Sequence, residues 1–170
     1  VKSMKNNTNT VSLTQGYQWL LAGLVWLLCS STAWANGDQL LGVWLSPDDK
    51  ATIEIYQQDG KYSGRIIDLK EPLYPAGDES GLEGQPKIDR NNPDKALQDR
   101  PVIGLNLLRG FVYKGESKGV HQWHKGKIYD PGNGKDYKCT IKLNADGTLN
   151  LRGYIGISLF GRTQIWRPKP

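Results

Sequence analysis

Cysteine is scarce in this chain. Cys29 and Cys139 are the only two among 170 residues, and Cys29 lies in a segment that reads as removable. A chain left with Cys139 alone forms no internal disulfide, so its stability must come from packing. Histidine is equally thin, with only His121 and His124 in "HQWH". Residues at i and i+3 of a strand point to opposite faces, which suits two solvated side chains and not joint metal ligation. No stretch beyond residue 35 keeps a helical period long enough to define a helix. Charge of one sign never accumulates either. Basic residues sit scattered beside acidic ones, without the stripe that a nucleic acid or a membrane surface would require.

Long apolar runs are missing too, with one exception near the start. Lys2 and Lys5 precede "WLLAGLVWLLC" at residues 19–29, and "SSTAWAN" follows. The run is shorter than the ~20 residues of a spanning helix. Ala33-Trp34-Ala35 has the form of a cleavage site, so residues 1–35 are expected to be a secretory signal peptide, cut after Ala35. A lipid-modified Cys29 would need a small residue before it, where Leu28 stands. The expected product is periplasmic or secreted, with no membrane span after signal removal. Residues 36–170 then make one domain of about 135 residues around one core. Without Lys2 and Lys5, the 22 basic residues fall to 20 against 17 acidic ones, a mild net charge near +3.

What the chain does hold is strand after strand. "ATIEIYQQDGKYSGRIIDL" is two alternating runs around Asp59-Gly60, a hairpin pattern. Further strand signals stand at "LLGVWLSP", "VIGLNLLRGFVYKG", "VHQWHKGKIYDP", "KDYKCTIKLN" and "TLNLRGYIGI". The turns between the later ones are "GESKG", "PGNGK" and "ADG". Six to eight short antiparallel strands indicate a sandwich or a barrel. The succession of hairpins favours an all-β, antiparallel up-and-down β-barrel, whose closure removes exposed edges. Gly64, Gly110, Gly153 and Gly156 are candidates for the kinks that a small closed sheet needs. The terminal run, residues 151–170, reads as the closing strand. Residues 70–100 break the rhythm with Pro72, Pro75, Pro86, Pro93 and many charges. They read as one long loop covering or flanking an opening, with a helical turn near "NPDKALQ" that Asn92 could cap.

Gly42-Val43-Trp44 opens the first strand. In lipocalin-like barrels, such a triplet places its Trp at the closed end beneath an arginine from the last strand. By that resemblance Trp44, with Arg162 or Arg167, is the candidate for closing the barrel. Guanidinium on an indole face would contribute about 0.5–2 kcal/mol. The blocks "GVWLSPDDKATIEIYQQDGKYSGRI", "IDRNNPDKALQDRPVIGLNLL", "GKIYDPGNGKDYKCTIKL" and "LRGYIGISLFGRTQIWRP" resemble a bacterial exported family, domain of unknown function 2147. The resemblance implies a β-rich, calycin-like domain after a signal peptide and no established reaction.

No catalytic constellation emerges from the residues. Ser158 in "GISLFG" would need glycine where Phe160 stands to make a nucleophile elbow. Asp89, Asn91 and Asp94 in "DRNNPD" suggest a calcium loop, but Pro93 occupies the next alternate position and the glycine is missing. Asp89, Arg90, Asp94 and Arg100 are better read as pinning the long loop by ion pairs and turn hydrogen bonds. Cys139 in "YKCTIKL" reads as a small buried apolar residue. Tyr129 and Tyr137 flank a Pro-Gly-Asn-Gly turn that by itself explains Asp130, or else they present polar tips at a barrel mouth. The function expected is non-enzymatic binding of a small apolar or amphipathic ligand, with no cofactor, metal or nucleic acid. Its lining candidates are Tyr56, Ile66, Leu107, Tyr129, Tyr154 and Phe160. The alternative is an envelope interaction or structural module whose barrel is filled by side chains.

Overall fold

The computed structural model describes residues 37–170; the expected signal peptide, residues 1–35, and Cys29 lie outside them. Eight strands follow in order: β1 (Gly42–Leu45), β2 (Ala51–Gln58), β3 (Lys61–Leu69), β4 (Asn106–Ser117), β5 (Val120–Asp130), β6 (Lys135–Leu143), β7 (Leu149–Tyr154) and β8 (Arg162–Pro168). Each pairs antiparallel with the next, and β8 returns to β1 through Trp44–Pro168 and Leu45–Arg167. The sheet is therefore a closed up-and-down barrel with no free edge.

Local chemistry sets the hairpins. Asp59 and Gly60 both take positive φ, 51° and 70°, between the paired Gln58 and Lys61. That is the two-residue turn whose twist matches its strands. Lys118-Gly119 repeats it between β4 and β5, so the bend comes at the end of "GESKG". Gly64 sits at a close approach: a Cβ there would press on the Leu108 and Ile53 side chains at 3.1 and 3.2 Å. Gly156 falls outside any strand. The terminal run is not one strand but the end of β7, a loop at residues 155–161, and β8.

The connections β2–β3, β4–β5 and β6–β7 gather at one end, and that end is filled. A 3-10 turn, Asp38–Leu40, enters it ahead of β1. Leu40, Trp123, Ile141 and Leu149 are fully buried there, with Tyr62 and Phe111 nearly so. Tyr62 meets Trp123 edge-on, ring centres 6.3 Å apart, and its hydroxyl donates to Asp38 at 2.8 Å. Burial and the Asp38 carboxylate push the Tyr62 phenol up to about 12. Trp44 does sit in this plug, nearly buried, but no arginine stacks on it. Its indole N–H donates instead to the Leu40 carbonyl at 3.0 Å. Arg167 turns outward to pair with Asp49 at 2.6 Å. Arg162 pairs with Gly153 at the far end of β8, about 20 Å along the strand from Pro168. The preceding turn, not an arginine, closes this barrel.

Candidate functional site

At the opposite end the four remaining connections, residues 46–50, 70–105, 131–134 and 155–161, surround an opening. Beneath it lies a cavity of about 1220 Å³, counting the space between the loops. That is somewhat above the ~300–1,000 Å³ of most small-molecule sites, as expected of a chamber with its vestibule. Strand alternation explains the lining. In β8, Trp166, Gln164 and Arg162 share the inner face, and in β7 Leu151 and Gly153 do. Ile53, Leu151 and Trp166 make an apolar floor above the plug, with Ile66 and Ile128 on the wall.

Five of the six expected lining residues border this space: Ile66, Leu107, Tyr129, Tyr154 and Phe160. Leu107 reaches it because the β3–β4 register slips between Gly64–Leu108 and Arg65–Asn106, an irregularity that buries Leu107 and Leu108 together. Tyr56 does not reach it. It follows the buried Ile55 on β2 and so faces outward, where Arg65 covers its ring and its hydroxyl donates to Asn106 at 3.0 Å. Tyr129 borders the cavity from the seam under the long loop. On β5 it is Ile128 that pairs with Tyr137 and shares its inward face, whereas Tyr129 pairs with Asp136. The two tyrosines therefore do not face each other. Tyr137 accepts from Asn133 at 3.0 Å, so both hydroxyls are held by protein. Sequence reasoning missed Ile53, Leu151 and Trp166, although the alternation in "RTQIW" carried the signal for Trp166.

The long loop is fixed by a buried carboxylate. Asp89 is fully buried and receives Arg100 at 2.7 Å, Asn92 at 2.7 Å and the Tyr129 hydroxyl at 2.6 Å. Burial and then the hydrogen bond to Asp89 push the Tyr129 phenol up to about 12, so it stays a donor. Asn92 does not cap the helical turn at Lys95–Leu97; Asp94 does, accepting from the Ala96 N–H at 3.0 Å. Asn91 donates to the Pro131 and Gly132 carbonyls, both at 3.0 Å, which ties the loop to the β5–β6 turn. Gly134 makes that contact feasible: its φ is +71°, and a Cβ would overlap the Asn91 carbonyl oxygen. Arg90 lies over the Tyr74 ring at 4.8 Å and pairs with Asp78 at 3.2 Å. Asp89, Asn91 and Asp94 thus serve three separate local roles and do not converge as cation ligands.

The other chemical candidates are placed as follows. His121 shares a 2.8 Å hydrogen bond with the Tyr113 hydroxyl and stands beside Trp123, so it is not simply solvated. Ser158 opens a 3-10 turn, and its carbonyl accepts from Arg152 at 2.7 Å. Cys139 is buried in the core, and burial pushes its thiol up to about 12, which leaves it without thiolate character. Among the described residues no three His, Cys, Asp or Glu side chains gather as a metal site, and no helix is long and apolar enough to cross a membrane.

The comparisons agree with this architecture. A solved Helicobacter pylori protein, described as belonging to the lipocalin family, superposes with a TM-score of 0.61 over 77% of this chain and 83% of its own. At 22% identity the likeness establishes a lipocalin-like fold. A search of curated proteins finds no match. A family model described as "uncharacterized protein conserved in bacteria" (DUF2147) matches residues 42–167, from the first residue of β1 into β8. Because that match spans the whole barrel, the chain belongs to this family.

Proposed function

We propose that the protein holds a small apolar or amphipathic molecule in the open half of its barrel without transforming it, after export to the periplasm or cell exterior. The observation that carries this reading is the cavity itself, with an apolar floor of Ile53, Leu151 and Trp166 above a filled plug. Burying a ligand's apolar surface there contributes roughly 25 cal/mol per Å². Polar groups near the mouth leave room for an amphipathic head: Lys50–Asp48 and Lys87–Glu71 are loose pairs at 3.6 and 3.8 Å. Non-enzymatic binding is supported by the hydroxyls of Tyr129 and Tyr137, which are engaged with protein partners. Export is supported by the Ala33-Trp34-Ala35 pattern and by a single inert thiol among the described residues. A filled barrel acting as an interaction module would need side chains where this cavity lies.

The test is organic extraction and mass spectrometry of protein purified natively from its own cells. The expected result is one dominant apolar or amphipathic species near stoichiometric amount. An empty extract from protein that also takes up no apolar molecule would sink the reading.

A further inference from the structure

Resting on the reading above that the cavity holds an amphipathic guest, we propose that this guest is a carboxylate whose head is held by Arg162, with Gln164 donating beside it. Both side chains line the cavity from the inner face of β8, above Trp166. Arg162 is set apart by what it lacks. Among the described residues every other arginine has a carboxylate or carbonyl partner, from Arg65 on Glu54 to Arg167 on Asp49. Arg162 has neither an ion pair nor an aromatic face. Its cross-strand neighbour is Gly153, which brings no side chain to answer or cover it.

Gln164 adds a donor of fixed sense. The Trp166 indole N–H, which can only donate, gives its hydrogen bond to Gln164 Oε1 at 3.0 Å. The amide oxygen is thereby engaged, and the NH2 group is what Gln164 offers a guest. Arg162 and Gln164 therefore supply donors, and a carboxylate is all acceptor. The lining carries one open charge. Its acids are answered: Asp48, Glu71 and Asp78 pair with basic residues, and Asp130 accepts from Asn133. Lys70 turns to the Asp48 carbonyl at 3.4 Å, which leaves Arg162. One open guanidinium suits one negative charge. The connections at the mouth, residues 46–50 and 70–105, hold more acidic than basic residues. No broad basic field draws the anion in, so its recognition rests on direct contact with Arg162. Depth fits as well. Trp166 lies four residues below Arg162, ~13 Å along the strand and ~10 Å in depth after the tilt of barrel strands. A medium-length tail on the Ile53, Leu151 and Trp166 floor puts its head at Arg162.

Calorimetric titration with decanoic acid, decanol and decylammonium at neutral pH tests this, using the chain as isolated from its own cells and freed of lipid. The three probes share a tail and differ in the charge of the head. Wild type should bind decanoate at least ~10-fold more tightly than decanol, and decylammonium most weakly. Arg162→Gln should bring decanoate to within about twofold of decanol. Arg167→Gln removes the same charge from the outer face of β8 and should leave the preference whole. The wild-type comparison needs no variant, so it stands whatever Arg162→Gln does to the fold. Decanol or decylammonium bound as tightly as decanoate by wild type would overturn this inference and leave the proposed function standing. So would a decanoate preference that survives Arg162→Gln. Binding of none of the three by wild type would overturn both.

Discussion

The connection from β3 to β4, residues 70–105, is long, polar and tied down, whereas that from β7 to β8, residues 155–161, is short, apolar and exposed. Polarity alone suggests the reverse, with the charged loop moving freely and the apolar one folded in. The difference lies in where each finds partners. Asp89 reaches a buried position in which Arg100, Asn92 and Tyr129 satisfy it, and the loop inherits the rigidity of β5. The apolar loop has its backbone clamped by Arg152, and its side chains stay largely exposed among the described residues. One connection walls the mouth, and the other presents a surface beside it.

The largest expected effect comes from removing the anchor of the polar connection. Asp89→Ala leaves Arg100 and the Tyr129 hydroxyl without their acceptor and should cost about 3 kcal/mol in urea unfolding. A loss under ~1 kcal/mol would show that the loop stands without it. Gly134→Ala should cost about 2 kcal/mol, because positive φ and the Asn91 carbonyl both oppose a side chain. Restoring glycine should recover all of it.

A smaller effect is confined to alkaline solution. Tyr129 and Tyr62 have folded values raised from 10.0 to about 12. A raised acid stays protonated in the folded chain and ionises first in the unfolded one. The stability these phenols contribute is therefore whole below pH 10 and is lost as pH climbs from 10 toward 12. Unfolding midpoints followed over that window should fall, and Tyr129→Phe should make the fall shallower. An unchanged slope would mean that burial and Asp89 do not hold the Tyr129 phenol protonated in the folded chain. Smallest of all, Ile157→Ser/Leu159→Ser should leave the unfolding free energy within ~0.5 kcal/mol of wild type. A loss above ~1.5 kcal/mol would make the apolar loop part of the packing and erase the contrast with its polar counterpart.

The barrel was legible because its information is local. Alternation in "ATIEIYQ" and the Asp59-Gly60 turn specify a hairpin from a few neighbouring residues. The loop anchors are half legible: Asp89, Arg90, Asp94 and Arg100 read together as pins of the loop, but the sequence does not pair Asp89 with Arg100, and Tyr129 lies forty positions from Asp89 and joins it only through the fold. Tyr56 follows the buried Ile55 and so belongs to the outer face, which strand parity in "TIEIY" already carries. Register slips near Leu107 and between Trp123 and Gly126 break the alternation that would have assigned other faces. Trp44 was placed at the closed end, but its partner there was missed for a plainer reason. Trp44 bonds to a carbonyl, and every residue has one.

The central claim is that the open half of the barrel receives an apolar guest. Its most direct test is titration of a fluorescent fatty-acid probe into wild type and into Leu151→Trp, which fills the cavity floor, with circular dichroism confirming that both keep their strands. The account predicts saturable one-to-one uptake by wild type and at least ~10-fold weaker uptake by the filled variant. No saturable uptake by wild type, or equal uptake by a folded Leu151→Trp, would contradict it.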